Sequence, residues 1–247
     1  MQAVKTRAIV LKTQDIKEND KLVWVYTEEL GKITLYVKGA KKSKSKLFTV
    51  TNSFSYSEVI VYKGKSFYHL NEGSLIDSFN EVMDDLDSLL TASYFCELTD
   101  IAAVEEEKNE NIFKLLVASF YLLKTKSIDK TLLARSYEFK LLNLTGFSLS
   151  LDKCTICNEK LNAVQYFDIE NYGGICNNCT TKSSIKIGPS TYNSIKFINN
   201  SSLDKIGRLK LSEESKDQIK KITTYIIMES YGKVPNSLNM FKKLKEE

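Results

Sequence analysis

Cys154 and Cys157 form one C-x2-C pair and Cys176 and Cys179 a second, with eighteen residues between them. A C-x2-C tip lets two thiolates converge on one ion while nearby amides solvate the sulfurs. Two tips supply the four-sulfur tetrahedron that zinc takes in closed structural sites. The segment between them suits a hairpin, with Val164, Tyr166 and Phe167 as strand and Tyr172-Gly173-Gly174 as turn. The spacing predicts a zinc ribbon inserted at residues 151–185 and holding one structural ion. The alternative is a pair of disulfides or unpaired thiols.

Compartment bears on that choice. The first residues, MQAVKTRAIVLKTQ, lack the layout of a secretory leader, and no stretch has the roughly 18 consecutive apolar residues of a membrane span. A cytoplasmic location is expected, where thiols stay reduced and paired cysteines favour a metal over a disulfide. The fifth cysteine, Cys96, lies in the apolar run SYFCEL and reads as a small buried hydrophobe.

The 247 residues suffice for one large domain or several small ones, and the net charge of +4 hides an uneven distribution. Residues 1–80 carry 13 Lys and Arg against 8 Asp and Glu; residues 81–153 carry 8 against 13; residues 154–247 carry 14 against 10. A basic head, an acidic middle and a basic tail suggest an anionic partner that touches both ends.

The head reads as five short strands: Ala8–Leu11, Leu22–Tyr26, Ile33–Val37, Phe54–Tyr62 and a fifth beginning at Phe67. Gly31 sits in the turn between the second and third strands, and Gly39 closes the third. Five strands with no helical pattern between them predict a small closed antiparallel barrel over residues 1–80, of which the oligonucleotide-binding (OB) fold is the commonest type. Between the third and fourth strands, KGAKKSKSK holds Lys38, Lys41, Lys42, Lys44 and Lys46 without an acid. Small residues such as Ala40 separate the lysines, so a flexible, solvated loop is expected. Lysine suits phosphate contact without sequence readout. If all five engaged a single strand, log K would fall with log salt at a slope of about −3.5. The plainer reading is a loop that only aids solubility. Trp24, Tyr36, Tyr62 and Tyr68 are candidate stacking platforms for bases, and each also fits a core position.

The remainder, residues 81–247, reads as a helical domain carrying the ribbon. Acids at Asp84, Asp85 and Asp87 open a first helix; Ile112 to Leu123 mark a second; Asp129 caps a third that ends at Gly146. Three such helices suggest a bundle. Pro189 opens a short helix, Ser212-Glu213-Glu214 a longer one that Gly232 and Pro235 stop, and Lys242, Lys243 and Lys245 give the tail a basic end. The fold class is therefore α+β: an N-terminal OB barrel, then an α-helical domain with a four-cysteine zinc ribbon.

Catalytic patterns are missing. The one histidine, His69, falls in a strand pattern, and the chain has no G-x-S-x-G, Walker loop, Rossmann glycine triplet or H-E-x-x-H. Four thiolates fill a tetrahedron and leave no position for water. No enzyme is expected. A magnesium nuclease using Asp84 and Asp85 is the enzyme alternative, and a zinc-ribbon RNA-binding or transcription-associated module is the binding alternative.

Several segments together resemble the bacterial recombination mediators of the RecO family. AIVLKTQDIKENDKLVWVYTEELGKITLYVKGAKKSKSK resembles the family's N-terminal barrel, through Glu18-Asn19-Asp20, Thr27 to Gly31, and Gly39 with Lys41 and Lys42. RSYEFKLLNLTGFSLSLDKCTIC resembles its helix leading into the zinc knuckle, and VPNSLNMFKKL its last helix. The resemblance implies binding of single- and double-stranded DNA and annealing of complementary strands. It implies action on strands coated with single-stranded DNA-binding protein (SSB) through the SSB C-terminal tail. It also implies cooperation with RecR to load RecA, association with the nucleoid, and DNA contacts on the lysines from Lys38 to Lys46. Some family members lack the cysteines, which implies a scaffold role for the metal.

Overall fold

The structure, a computed structural model, describes residues 3–42, 45–161, 164, 166–179 and 181–238. Lys44 and the tail lysines Lys242, Lys243 and Lys245 lie outside the described residues.

Strands β1 (Ala3–Asp15), β2 (Lys21–Thr27), β3 (Gly31–Val37), β4 (Tyr56–Lys63) and β5 (Tyr68–Asp77) close into a barrel in the order β1-β2-β3-β5-β4. This is the OB arrangement. Every pairing is antiparallel except β3 with β5, where Leu35 faces Tyr68 and Tyr36 faces His69 in parallel. The first strand is much longer than its apolar core Ala8–Leu11 suggests. It pairs with β4 through its first half and with β2 through its second, and a register shift between Val10 and Lys12 supplies the bend. Alternation fills the interior with Val10, Val23, Val25, Ile33, Leu35, Val37, Val59, Val61 and Leu70. Tyr68 belongs to this interior and so is not a stacking platform.

Phe54 precedes β4 instead of opening it. Its φ of 68° turns the chain, and its ring packs on Phe120 with centroids 5.5 Å apart. Gly31 has φ +65°, and a Cβ there would lie 2.0 Å from the Glu107 carbonyl oxygen. Both facts require glycine at the start of β3.

Helices α1 (Asn80–Met83), α2 (Leu86–Ala102) and α3 (Glu110–Thr125) follow β5. Asp85 caps α2 by accepting from the Ser88 amide. The three helices that the sequence suggests as a bundle fall in two compact units. Residues up to Thr125 make one compact unit together with 235–238, while residues 126–234 make the other. The reason lies in the apolar stripes of α2 and α3, which meet the outer face of the barrel. There the Cys96 thiol lies 3.8 Å from the Val10 carbonyl oxygen and Tyr56 packs on Phe113 at 6.1 Å. Burial pushes the Cys96 thiol far up, as for an inert core cysteine. Glu97 of α2 accepts from the Asn236 and Ser237 amides at 2.8 and 2.9 Å and so caps the helical turn at 236–238.

The second unit contains α4 (Lys130–Leu144), β6 (Tyr166–Asp168), β7 (Gly173–Ile175), β8 (Ser184–Lys186), α5 (Pro189–Asn200), α6 (Leu203–Ile206) and α7 (Glu213–Tyr231). Asp129 and Ser212 cap α4 and α7, and Gly232, at φ 64°, ends α7. Leu133, Tyr137, Leu141, Ile195, Ile198, Ile219, Ile222 and Ile226 are fully buried. Within this core Arg135 bridges to Glu138 at 2.7 Å and donates to Thr223 at 2.9 Å. Among the described residues no helix is long and apolar enough to cross a membrane.

Candidate metal centre and nucleic-acid surface

The ribbon is a three-stranded sheet in the order β7-β6-β8. Its turn is earlier than the sequence suggests. Tyr172 takes the left-handed backbone at φ 52°, and Gly173 and Gly174 lie in β7. These glycines serve close packing. A Cβ on Gly173 would lie 2.4 Å from the Ser150 carbonyl oxygen, and one on Gly174 would lie 2.8 Å from the Tyr192 hydroxyl.

The first knuckle folds tightly after Cys154. The Cys154 amide donates to Glu159 and the Asn158 amide returns to Cys154, with Asn158 at φ 61°. In the second knuckle the Cys179 amide donates to Cys176. The result brings the Cys154, Cys157, Cys176 and Cys179 sulfurs within 4.8 Å of one another, and Cys157 and Cys176 to 3.7 Å. A tetrahedral thiolate site with metal–sulfur bonds of about 2.3 Å has edges of about 3.8 Å, so the donor set fits a single ion. Electrostatics agree. Burial raises the Cys154 thiol, but amides of Cys157, Cys176 and Ile156 outweigh it and bring the thiol down to about 6. Cys179 is pushed up to about 12, chiefly by its contacts with Cys176 and Cys157. Four crowded sulfurs cannot all ionise beside one another without a cation among them. The centre can hold a metal ion and leaves it no open position.

On the barrel, Lys38, Lys41, Lys42 and Lys46 are exposed. The segment that carries them is less free than its composition suggests. Ala40 is 0% exposed and sits in the barrel core. Turns run from Gly39 to Lys42 and from Ser45 to Phe48, and a short 3-10 helix follows at Thr49–Thr51. The Lys41 amide donates to Asn19, and Asp20 accepts from the Gly39 amide at 2.9 Å and from the Tyr36 hydroxyl. These two hydrogen bonds, first that from Tyr36, hold the Asp20 carboxyl below its usual value. The loop is thus pinned to the β1–β2 connection at its base and presents Lys38, Lys41, Lys42 and Lys46 outward. Lys41 spends its charge partly on Asp15, at 2.7 Å. Phe48, which composition did not single out, is 46% exposed, and the Lys21 ammonium lies 5.6 Å from its ring centroid.

Because Lys41 is paired, Lys38, Lys42 and Lys46 are the cations to remove. Changing all three to Ala is expected to weaken binding to single-stranded DNA and to reduce the steepness of log K against log salt by about 2. Affinity titrations over a salt series check this, and an unchanged slope removes the loop from the binding surface.

A closed OB-order barrel with exposed loop lysines, in one chain with a four-cysteine ribbon set among helices, defines the class of architecture. Comparison with known proteins specifies it further. Residues 1–79 match the family model Recombination protein O N terminal, and residues 83–239 match Recombination protein O C terminal. The chain belongs to the RecO family. Relatives carrying the name DNA repair protein RecO include one from Clostridium perfringens strain 13, 44% identical over 246 residues and 100% of both chains. Another, from Clostridium kluyveri, is 45% identical over 240 residues, 97% of this chain and 93% of that one. A third, from Caldicellulosiruptor saccharolyticus, is 31% identical over 245 residues, 99% of this chain and 100% of that one.

Proposed function

We propose that this protein is a non-enzymatic DNA-binding mediator of recombinational repair that anneals complementary single strands. The observation that carries this reading is the lysine loop held outward on an OB barrel, in a chain that belongs to the RecO family over nearly its whole length. The mechanism is electrostatic and geometric. Exposed lysines neutralise phosphates, lower the repulsion between two strands and raise their local concentration. Such a process needs no bond-making residue and no nucleotide cofactor.

The family resemblance supplies the partners in this proposal. The protein binds single- and double-stranded DNA, reaches SSB-coated single strands through the acidic SSB tail, and with RecR promotes loading of RecA. Its place of action is the cytoplasm, at the nucleoid. The ion in the four-cysteine centre is zinc, and its role is structural: it holds the two knuckles together and takes no part in annealing.

The test is annealing of complementary strands already coated with SSB, followed by fluorescence with and without the protein and without nucleotide. Acceleration by at least about tenfold is expected from raised local concentration. No acceleration over a range of salt overturns the proposal. Equal or tighter binding to RNA of the same sequence favours the RNA-binding alternative, because the two polymers differ at the 2′-hydroxyl.

A further inference from the structure

We infer that Tyr36, His69 and Tyr62 form a row of rings on the outer face of the barrel that stacks on the bases of single-stranded DNA, an inference that rests on the DNA-binding reading above. The row follows from the strand register. Tyr36 of β3 faces His69 of β5, and His69 faces Tyr62 of β4. Each alternates with interior residues, Leu35 and Val37, Tyr68 and Leu70, and Val61, so all three point outward. The rings touch. Tyr62 and His69 are stacked at 5.1 Å and 14°, and Tyr36 meets His69 edge-on at 5.6 Å and 66°.

Two outer rows of this barrel differ in environment. The row Tyr56–Ile9–Tyr26, also joined by cross-strand pairing, is buried, with Tyr56 against Phe113 of α3. Burial explains why that row is apolar. Tyr36, His69 and Tyr62 are only half-buried, so no comparable burial explains three adjoining rings there. The row ends beside Ala3 of β1, the partner of Tyr62, whose small side chain leaves room beside the last ring.

The surroundings suit a nucleic-acid strand. Exposed Lys38 follows Tyr36 at the end of β3, and exposed Lys65 stands in the β4–β5 turn past Tyr62, so cations flank the row at both ends. OB barrels bind oligonucleotides on the face of strands 2 and 3 and on the 1–2 and 4–5 loops, by stacking that tolerates any base; here Tyr36 lies on β3 and Lys65 in the β4–β5 turn. The rings are preorganised. Asp20 holds the Tyr36 hydroxyl, and Gly64 lets the β4–β5 turn lie against the imidazole, since a Cβ there would be 2.6 Å from His69 Nε2. Trp24, another aromatic on an outer position, is faced by the Lys12 ammonium at 5.0 Å.

Cross-strand rings also stabilise sheets, so the experiment must separate stacking on DNA from packing within the barrel. Binding of the full chain is measured by fluorescence anisotropy to a thymidine strand and to an abasic strand of equal length, which keeps the phosphates and lacks the bases. Tyr62→Ala and His69→Ala are expected to weaken thymidine-strand binding at least about fivefold. Both should leave abasic-strand binding and the salt slope unchanged. Tyr62→Phe, which keeps the ring, should bind as the unchanged protein does. Equal losses on both strands, or no loss on either while the unchanged protein binds both, overturn the stacking row and leave the lysine loop standing. Failure of the unchanged protein to bind either strand overturns the DNA-binding reading and this row with it.

Discussion

Removing the metal, by a strong chelator or by Cys154→Ser, is expected to unfold the ribbon before it disturbs anything else. The ribbon's sheet strands are three residues each, and its knuckles are held mainly by backbone turns around the sulfurs. Without the ion the thiolates repel one another as they ionise. A structural zinc contributes on the order of 10 kcal/mol of folding free energy in small domains, more than so few strand pairings can replace. Hydrogen exchange followed by mass spectrometry should show residues 151–186 losing protection while the barrel strands β1–β5 keep theirs, because the barrel belongs to the other compact unit. Metal analysis should give one zinc per chain before treatment and none after it. Loss of DNA binding with the ribbon still protected would make the ribbon a contact surface and end its assignment as scaffold.

Gly31→Ala is expected to destabilise the first unit by about 3 kcal/mol, through left-handed backbone strain and a forced displacement at Glu107. The substitution adds one methyl group, yet its carbon has no room: the Glu107 carbonyl oxygen lies 2.0 Å from where it must go. The connection between α2 and α3 runs beside β3 at this point, with the Glu106 amide donating to Lys32 at 2.9 Å. Relief therefore requires that connection to move off the barrel. Urea unfolding should show a lower midpoint with an unchanged slope. Gly146→Ala is the control. Gly146 also has positive φ, at +94°, but a Cβ there meets nothing within 4 Å, so only the backbone part of the cost applies. A loss below about 1 kcal/mol at Gly31 would show that the connection yields easily.

Much of the local structure was legible in the residues. Each C-x2-C pair converges because knuckle geometry is a property of a few consecutive residues, and the pairing of β6 with β7 brings the two pairs together. Asp85, Asp129 and Ser212 sit at helix starts for an equally local reason, since each side chain reaches an amide three residues on. The barrel followed from alternation and the lack of helical pattern between its strands. Other features had no local signal. Nothing in the composition of KGAKKSKSK marks Ala40 as a core residue. Nor does SYFCEL indicate that its helix covers β1. Gly173 and Gly174 look like a turn until Ser150 and Tyr192 are placed against them. His69 looked solitary because the residues it touches, Tyr36 and Tyr62, lie on two other strands.

The sequence by itself determined the element types, the helix caps, the four-thiolate donor set and the basic loop. Each depends on interactions within a few residues, or on a periodicity that one segment carries alone. Only the tertiary structure decided which unit α2 and α3 join, how Asp20 pins the lysine loop, and which aromatic residues face outward together. Those outcomes depend on barrel closure, which pairs β3 with β5 across more than thirty residues of chain and places side chains side by side that no local pattern connects.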